Sequence, residues 1–253
     1  MCTALIGAIE KAGLADKSVM LLFDASPEVN IRKSKEGYSV AGSSKELCEK
    51  SDIIFMCVKP QNLADAAKAV DGAADGKTVV SIMAGVSIQK LRDTLGNVSV
   101  VRCMPNTPMM LSSGVLALSA SDNVPSDKLD FIKRVLGSCC EVYEIPEELQ
   151  NVSIPVHSSS PAFLFRCAED FCEGAVRLGF DRFMALEMFC GTLIGSARML
   201  LESGKTPAEL ERMVTSPGGT TKAMMDAFDA AGFNASVISA VKACKERADE
   251  LGK

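Results

Sequence analysis

The chain of 253 residues contains no tryptophan, two tyrosines and one histidine, so it has few flat side chains on which nucleic acid bases could stack. Its formal net charge of −5 and sequence pI near 5.1 likewise disfavour nucleic acid and anionic membranes as main partners. With one histidine and ten scattered cysteines that form no CxxC pair, no metal site is expected. No segment approaches the roughly 18 uninterrupted apolar residues of a spanning helix, and no signal-peptide pattern opens the chain. Those absences place the chain in the cytoplasm, away from membranes, with its cysteines reduced and mostly buried as small hydrophobes. The adjacent Cys139 and Cys140 read as a strand pair.

What is present is apolar patterning. Residues 1–13 read as a helix with Leu5, Ile9 and Ala12 on one stripe and Gly13 as its stop. The runs 19–23, 53–58, 78–84 and 98–103 are continuously apolar rather than alternating, as in strands buried on both faces of a parallel sheet. Helical stretches follow Pro27 and cover 44–50, 62–74, 87–95 and 126–136. Shorter strands fall at 38–41, 114–119 and 140–145. Such alternation is the pattern of a doubly wound α/β sheet. After Pro146 it stops, and helices are expected over 147–178, 181–203, 207–213, 217–231 and 235–251. Two domains follow: residues 1–145 as a doubly wound α/β domain, and 146–253 as all-α. Met184, Met188, Phe189, Leu193, Ala197 and Leu200 give the helical half more apolar surface than one thin layer buries, so it should dimerise.

In open α/β sheets ligands bind beyond the carboxyl ends of the strands. Those ends carry Asp24-Ala25-Ser26, Lys59-Pro60-Gln61, Ala84-Gly85 and Met104-Pro105-Asn106-Thr107-Pro108. Asn106, between two prolines, is either an amide held rigidly for a ligand or an Asx-type turn. In the helical half, Val214-Thr215-Ser216-Pro217-Gly218-Gly219-Thr220-Thr221-Lys222 reads as a helix stop and restart, with Ser216 as N-cap and Pro217 in the first turn. Its local alternatives are a flexible turn and an anion site at a helix entrance.

The strings CVKPQ at 57–61, RCMPNTP at 102–108 and VTSPGGTT at 214–221 resemble those of the pyrroline-5-carboxylate reductase family, in the family's order and spacing over essentially the whole chain. The resemblance implies a Rossmann-like N-terminal domain followed by an all-α dimerisation domain. It also implies reduction of 1-pyrroline-5-carboxylate to L-proline with hydride from NADPH or NADH, the last step of proline biosynthesis. Ser26, Cys57, Val58, Lys59, Pro60, Ile82, Met83 and Ala84 would line the cofactor, and Asn106 would lie near its nicotinamide end. Ser216, Gly218, Gly219, Thr220 and Thr221 would hold the substrate carboxylate, with the Thr221 hydroxyl near the imine nitrogen as the catalytic group. A homodimer or larger homo-oligomer would form through the helical domain.

Two departures stand out. The family opens with a strand and a glycine-rich turn ending GxGNM. Met1 matches the Met of that motif, so the first strand and the glycine-rich loop are expected to be missing, and the full gene product to carry about ten more residues upstream. The rival expectation is a non-catalytic homodimeric relative that no longer binds dinucleotide. The second departure is His157-Ser158-Ser159-Ser160-Pro161-Ala162-Phe163, where the family shows SGSGPAY; it allows a related reductase of another cyclic imine. His157 is expected as a helix residue rather than a catalyst. Asp24 is placed to take a 2′-hydroxyl, whereas Ser26, Arg32 and Lys33 could take a 2′-phosphate, which tilts cofactor choice toward NADPH.

Overall fold

A computed structural model describes residues 2–252, apart from the side chains of Ala8 and Lys11; the motif position assigned to Met1 lies outside them. The chain forms two compact units: residues up to Ser159 together with the segment from Cys244 on, and Ser160–Ala243.

In the first unit, strands β1 (Leu21–Leu22) and β2 (Ser39–Val40) pair in parallel. A separate five-stranded sheet has the order β3 (Ile53–Met56), β4 (Thr78–Ser81), β5 (Ser99–Pro105), β6 (Gly114–Ala120), β7 (Cys140–Glu144). Its strands run parallel except at β5–β6, where Val101 pairs with Ala120 in an antiparallel ladder. Among the described residues β1 bonds only to β2, and β3 only to β4. A dinucleotide-binding sheet of order 3-2-1-4-5-6 has its first strand between those two edges.

The continuous apolar runs are explained by two cores. Val79 and Val100 belong to one cluster with Leu63 and Val70 of α4 (Leu63–Val70) and Leu91 and Leu95 of α5 (Ile88–Leu95). Their chain neighbours Val80 and Val101 belong to the other, with Leu5 and Ile9 of α1 (Cys2–Lys11) and Ile132 and Leu136 of α6 (Ser126–Gly137). Side chains alternate across a strand, so a strand covered on both faces must be apolar at every position. Two further helices, α2 (Pro27–Lys35) and α3 (Ser44–Glu49), follow β1 and β2. The Ser43 hydroxyl caps α3, accepting from Glu46 N at 3.1 Å. The cysteines divide more evenly than expected: Cys48, Cys103, Cys139, Cys140 and Cys172 are buried, while Cys2 and Cys190 are exposed.

The helix expected over 147–178 is broken. A 3-10 turn (Glu147–Leu149), α7 (Gln150–Ser153) and a π-helical turn (Ile154–Ser158) precede α8 (Ser160–Arg177). Pro155 has no N–H to donate, and Ser159 N reaches back five residues to Ile154 O at 2.9 Å. Proline widening a helix in this way gives a π-turn rather than a continuous helix.

The second unit contains α8, α9 (Arg182–Glu202), α10 (Pro207–Val214), α11 (Thr220–Ala230) and the start of α12 (Phe233–Leu251). Phe171 of α8 stacks on Phe189 of α9 at 4.8 Å between centroids. A capping box opens α10, the Thr206 hydroxyl accepting from Glu209 N while the Glu209 carboxylate accepts from Thr206 N. Although no uninterrupted apolar run of spanning length exists, α9 has 21 residues, an 18-residue window of which reaches mean hydropathy 1.3, enough by length and composition to cross a membrane, and none of it is buried.

Candidate active site

Beyond β1, Asp24 is fixed by its neighbours. Its Oδ1 accepts from Ser26 N at 2.9 Å, and the Asn30 amide brackets its backbone at 2.8 and 2.7 Å. Ser26 is the N-cap of α2, but its hydroxyl makes no capping bond, and Pro27 occupies the first helical position. Arg32 and Lys33 on α2 both meet Glu36, at 3.8 and 2.7 Å. The Lys33 hydrogen bond, foremost, holds the Glu36 carboxyl below its ordinary range.

Beyond β3, the Cys57 side chain, foremost, holds the Cys2 thiol below its ordinary value. Val58 is half-buried and Lys59 exposed, and Pro60 begins a 3-10 turn (Pro60–Asn62). Beyond β4, Ile82 and Ala84 are half-buried and Met83 is buried. Gly85 there has φ +80° and lies so close to the last turns of α12 that a Cβ on it would come within 2.2 Å of Ala248 O. A cleft of about 410 Å³ opens beside these ends, lined by residues that include Pro60, Gln61, Val86, Lys90 and Arg247. The carboxyl ends of β1, β3 and β4 thus carry mostly small or half-buried residues, with Lys59 exposed and Met83 buried, at the place where open α/β sheets bind ligands.

Asn106, beyond β5, is not turned to a ligand. It is buried; its Oδ1 accepts from Val115 N at 2.8 Å and its Nδ2 donates to His157 O at 3.0 Å. Both ends of the amide therefore hold the turn together. Among the described residues no group of three or more His, Cys, Asp and Glu side chains could hold a metal ion.

In the second unit the restart after α10 differs from the local reading. Ser216-Pro217-Gly218-Gly219 forms a hydrogen-bonded turn, with Gly219 N donating to Ser216 O at 3.0 Å and Gly218 at φ +71°. Proline followed by a residue of positive φ is the type II pattern, which requires glycine at the third position. The helix therefore begins at Thr220 with Gly219 as N-cap, not at Pro217 with Ser216 as N-cap. Gly219 is needed for space: a Cβ there would meet Ser216 Oγ at 2.5 Å. No side chain caps α11, so its first N–H groups have no internal acceptor. The turn brings Ser216, Gly218, Gly219, Thr220 and Thr221 together at a positive helix end, where a carboxylate is stabilised.

One feature was not legible in the chain. Arg102 is buried on β5, donating to Glu147 Oε1 at 3.4 Å and to Asn151 Oδ1 at 2.5 Å. Asn151 donates onward to Asp249 at 2.9 Å, and Glu147 Oε1 also accepts from Ile88 N at 2.6 Å. Burial lowers the basicity of the guanidinium, and Glu147 opposes that shift. These partners lie 45 and 49 residues from Arg102 in the chain, so no local pattern announces them.

Comparison with known proteins identifies the family. Residues 147–251 match the pyrroline-5-carboxylate reductase dimerisation family, and residues 1–85 match the family of NADP oxidoreductases that are coenzyme F420-dependent. The chain is 34% identical to pyrroline-5-carboxylate reductase of Synechocystis over 85% of its own length and 80% of that protein. It is 35% identical to pyrroline-5-carboxylate reductase 3 of Danio rerio, over 92% and 82%. The crystal structure of Plasmodium falciparum pyrroline carboxylate reductase with NADP bound shares the fold, with a TM-score of 0.91 at 24% identity, covering 99% of this chain and 94% of that one. The chain belongs to the pyrroline-5-carboxylate reductase family.

Proposed function

We propose that this chain reduces 1-pyrroline-5-carboxylate to L-proline with hydride from NADPH, in the cytoplasm and as a homodimer or larger homo-oligomer. The observation that carries the reading is the uncapped start of α11 behind the Ser216–Gly219 turn. The substrate is a small anion with one imine, and this end supplies N–H donors and hydroxyls without a competing carboxylate. In this reading the α11 N–H groups, with Ser216, Gly218, Gly219 and Thr220 shaping the turn, hold the substrate carboxylate. The Thr221 hydroxyl donates toward the imine nitrogen, so that the C=N carbon is electrophilic when hydride arrives. The bound nicotinamide supplies that hydride. Ser26, Cys57, Val58, Lys59, Pro60, Ile82, Met83 and Ala84 position the cofactor from the strand ends, and Asn106 acts by fixing the turn after β5. Residues 1–145 serve as the dinucleotide-binding domain and 146–253 as the dimerisation and substrate domain.

Preference for NADPH is supported by the Ser26 hydroxyl and by Arg32 and Lys33, whereas Asp24 already directs one carboxylate oxygen to Ser26 N. The dimer is supported by α9, none of whose described residues is buried and which leaves Met184, Met188, Ile194 and Leu201 exposed. Oxidation of NADPH dependent on pyrroline-5-carboxylate, with proline as product, is the test. NADPH binding without turnover of this imine would favour a related cyclic imine as substrate. Failure to bind either NADPH or NADH would favour instead a second reading, a non-catalytic homodimer.

A further inference from the structure

The segment that departs from the family's SGSGPAY pattern lies against the turn after β5. The His157 ring sits between two backbone carbonyls, with Nδ1 2.8 Å from Ser153 O and Nε2 2.7 Å from Met104 O. Both oxygens can only accept and a neutral ring carries one N–H, so in the Nε2–H tautomer the ring donates to Met104 O. The contact with Ser153 is local, one helical turn back; the bond to Met104 crosses 53 residues to the end of β5. Next to it the Ser158 hydroxyl donates to Pro105 O at 3.3 Å, and His157 O accepts from Asn106 Nδ2 at 3.0 Å. Three successive residues of the turn, Met104, Pro105 and Asn106, are thus laced one after another to His157 and Ser158. A glycine at 158 could not make the second of these bonds. The ring bond and the hydroxyl bond involve side chains that the family's pattern does not share.

We infer that His157 is a positioning residue for the reduction, its Nε2 holding the Met104–Asn106 turn where the nicotinamide end of the cofactor is placed. The inference rests on the reductase reading for its kinetic readout, but the bond itself can be tested without catalysis. Glutamine carries an amide N–H at the place of Nε2, and asparagine carries one at the place of Nδ1. The Gln variant therefore keeps the long-range bond, and the Asn variant keeps only the local contact.

The experiment compares His157→Gln, His157→Asn and His157→Ala in the full chain. It measures kcat, KM for pyrroline-5-carboxylate, NADPH affinity by fluorescence titration, and hydrogen exchange at the Val115 N–H. That N–H donates to Asn106 Oδ1 and so reports the turn. H157A and H157N should lose about five- to tenfold in kcat, the equivalent of one hydrogen bond, with NADPH affinity changed by less than about twofold. H157Q should stay within about twofold of the wild type. Protection at Val115 should fall in the same two variants and persist in H157Q. Rescue by Asn as good as by Gln, or a Gln variant no better than Ala, would overturn the inference, as would parallel loss of stability and kcat in all three. If the unaltered chain does not reduce the imine, the reductase reading fails by itself. Unchanged exchange at Val115 would then overturn the positioning role, and the expected exchange pattern would uphold the clasp.

Discussion

Gly85 is the position where a single methyl group should disturb the first unit most. Two costs add in Gly85→Ala. The backbone stays at φ +80°, which an L-residue occupies at a cost of about 1–2 kcal/mol. The new Cβ would also lie 2.2 Å from Ala248 O and 3.1 Å from Leu251 Cβ, well inside the ordinary contact distance of about 3.5 Å. Ala248 O is backbone within α12, so no side-chain rotation relieves the clash. The last turns of the helix must lift instead. Lifting them exposes Ala248, now 3% exposed, and breaks the Asn151–Asp249 hydrogen bond at 2.9 Å, together about 1–2 kcal/mol. The sum is about 2–4 kcal/mol, which at a urea slope of about 2 kcal/mol per M moves the midpoint down by about 1–2 M. Tyrosine fluorescence reads this unit selectively, because tryptophan is absent and both tyrosines, Tyr38 and Tyr143, lie in it. Gly137→Ala is the control, since a Cβ there meets nothing within 4 Å and φ is not positive. A midpoint for G85A within about 0.3 M of the wild type, or of G137A, would refute the close approach of Gly85 to α12.

Other expectations follow from the same geometry. Glu147→Ala removes the charged partner of Arg102 and the acceptor of Ile88 N; a loss of about 2–3 kcal/mol by denaturant unfolding is expected, less than for a fully buried pair because a third of the Glu147 side chain is exposed. Gly218→Ala puts a side chain at φ +71° in the turn before α11, and should raise KM for pyrroline-5-carboxylate about five- to thirtyfold while NADPH affinity, measured separately, is unchanged. Burial, and then the Glu10 hydrogen bond at 2.9 Å, push the Tyr38 phenol up to about 12 from its ordinary 10. A folded value above the unfolded one adds stability that is complete below pH 10 and lost as pH rises toward 12, so Tyr38→Phe should flatten the unfolding midpoint across that window. The uncovered helical unit should make the thermal midpoint rise with protein concentration; a midpoint independent of concentration, with a monomer by sizing at micromolar protein, would exclude the dimer.

The sheet was legible because its physics is local. A strand covered on both faces must be apolar throughout, and the runs around Ile53, Thr78 and Ser99 appear as the strands β3, β4 and β5. The run at 19–23 shrinks to the two residues Leu21–Leu22, which among the described residues pair only with β2. Strand length there depends on a partner across the gap, which no local pattern records. The break at 154–158 was also hidden, because Pro155 can end a helix, kink it or widen it, and its neighbours decide which. Here Ser159 N finds Ile154 O, and the chain widens by one residue.

The site divides along the same line. At Ser216-Pro217-Gly218 the local signals conflict: serine then proline favours a helix start, and proline then glycine favours a type II turn. The turn prevails because Gly218 takes the positive φ and Gly219 leaves room for the Ser216 hydroxyl, so α11 starts three residues later than the proline implies. The shift changes which groups the proposed substrate site presents. The first unpaired N–H groups belong to the start of α11 at Thr220, directly beside the Thr221 hydroxyl, and proline's missing N–H falls outside the cradle. Asn106 shows the opposite limit. Its flanking prolines correctly mark a rigid turn, but its amide is satisfied by Val115 and His157, nine and 51 residues away. Rigidity can be read from neighbours in sequence, whereas what the rigidity serves is fixed by partners that only the fold brings close. At this turn the partner is the same histidine that the sequence treats as an ordinary helix residue.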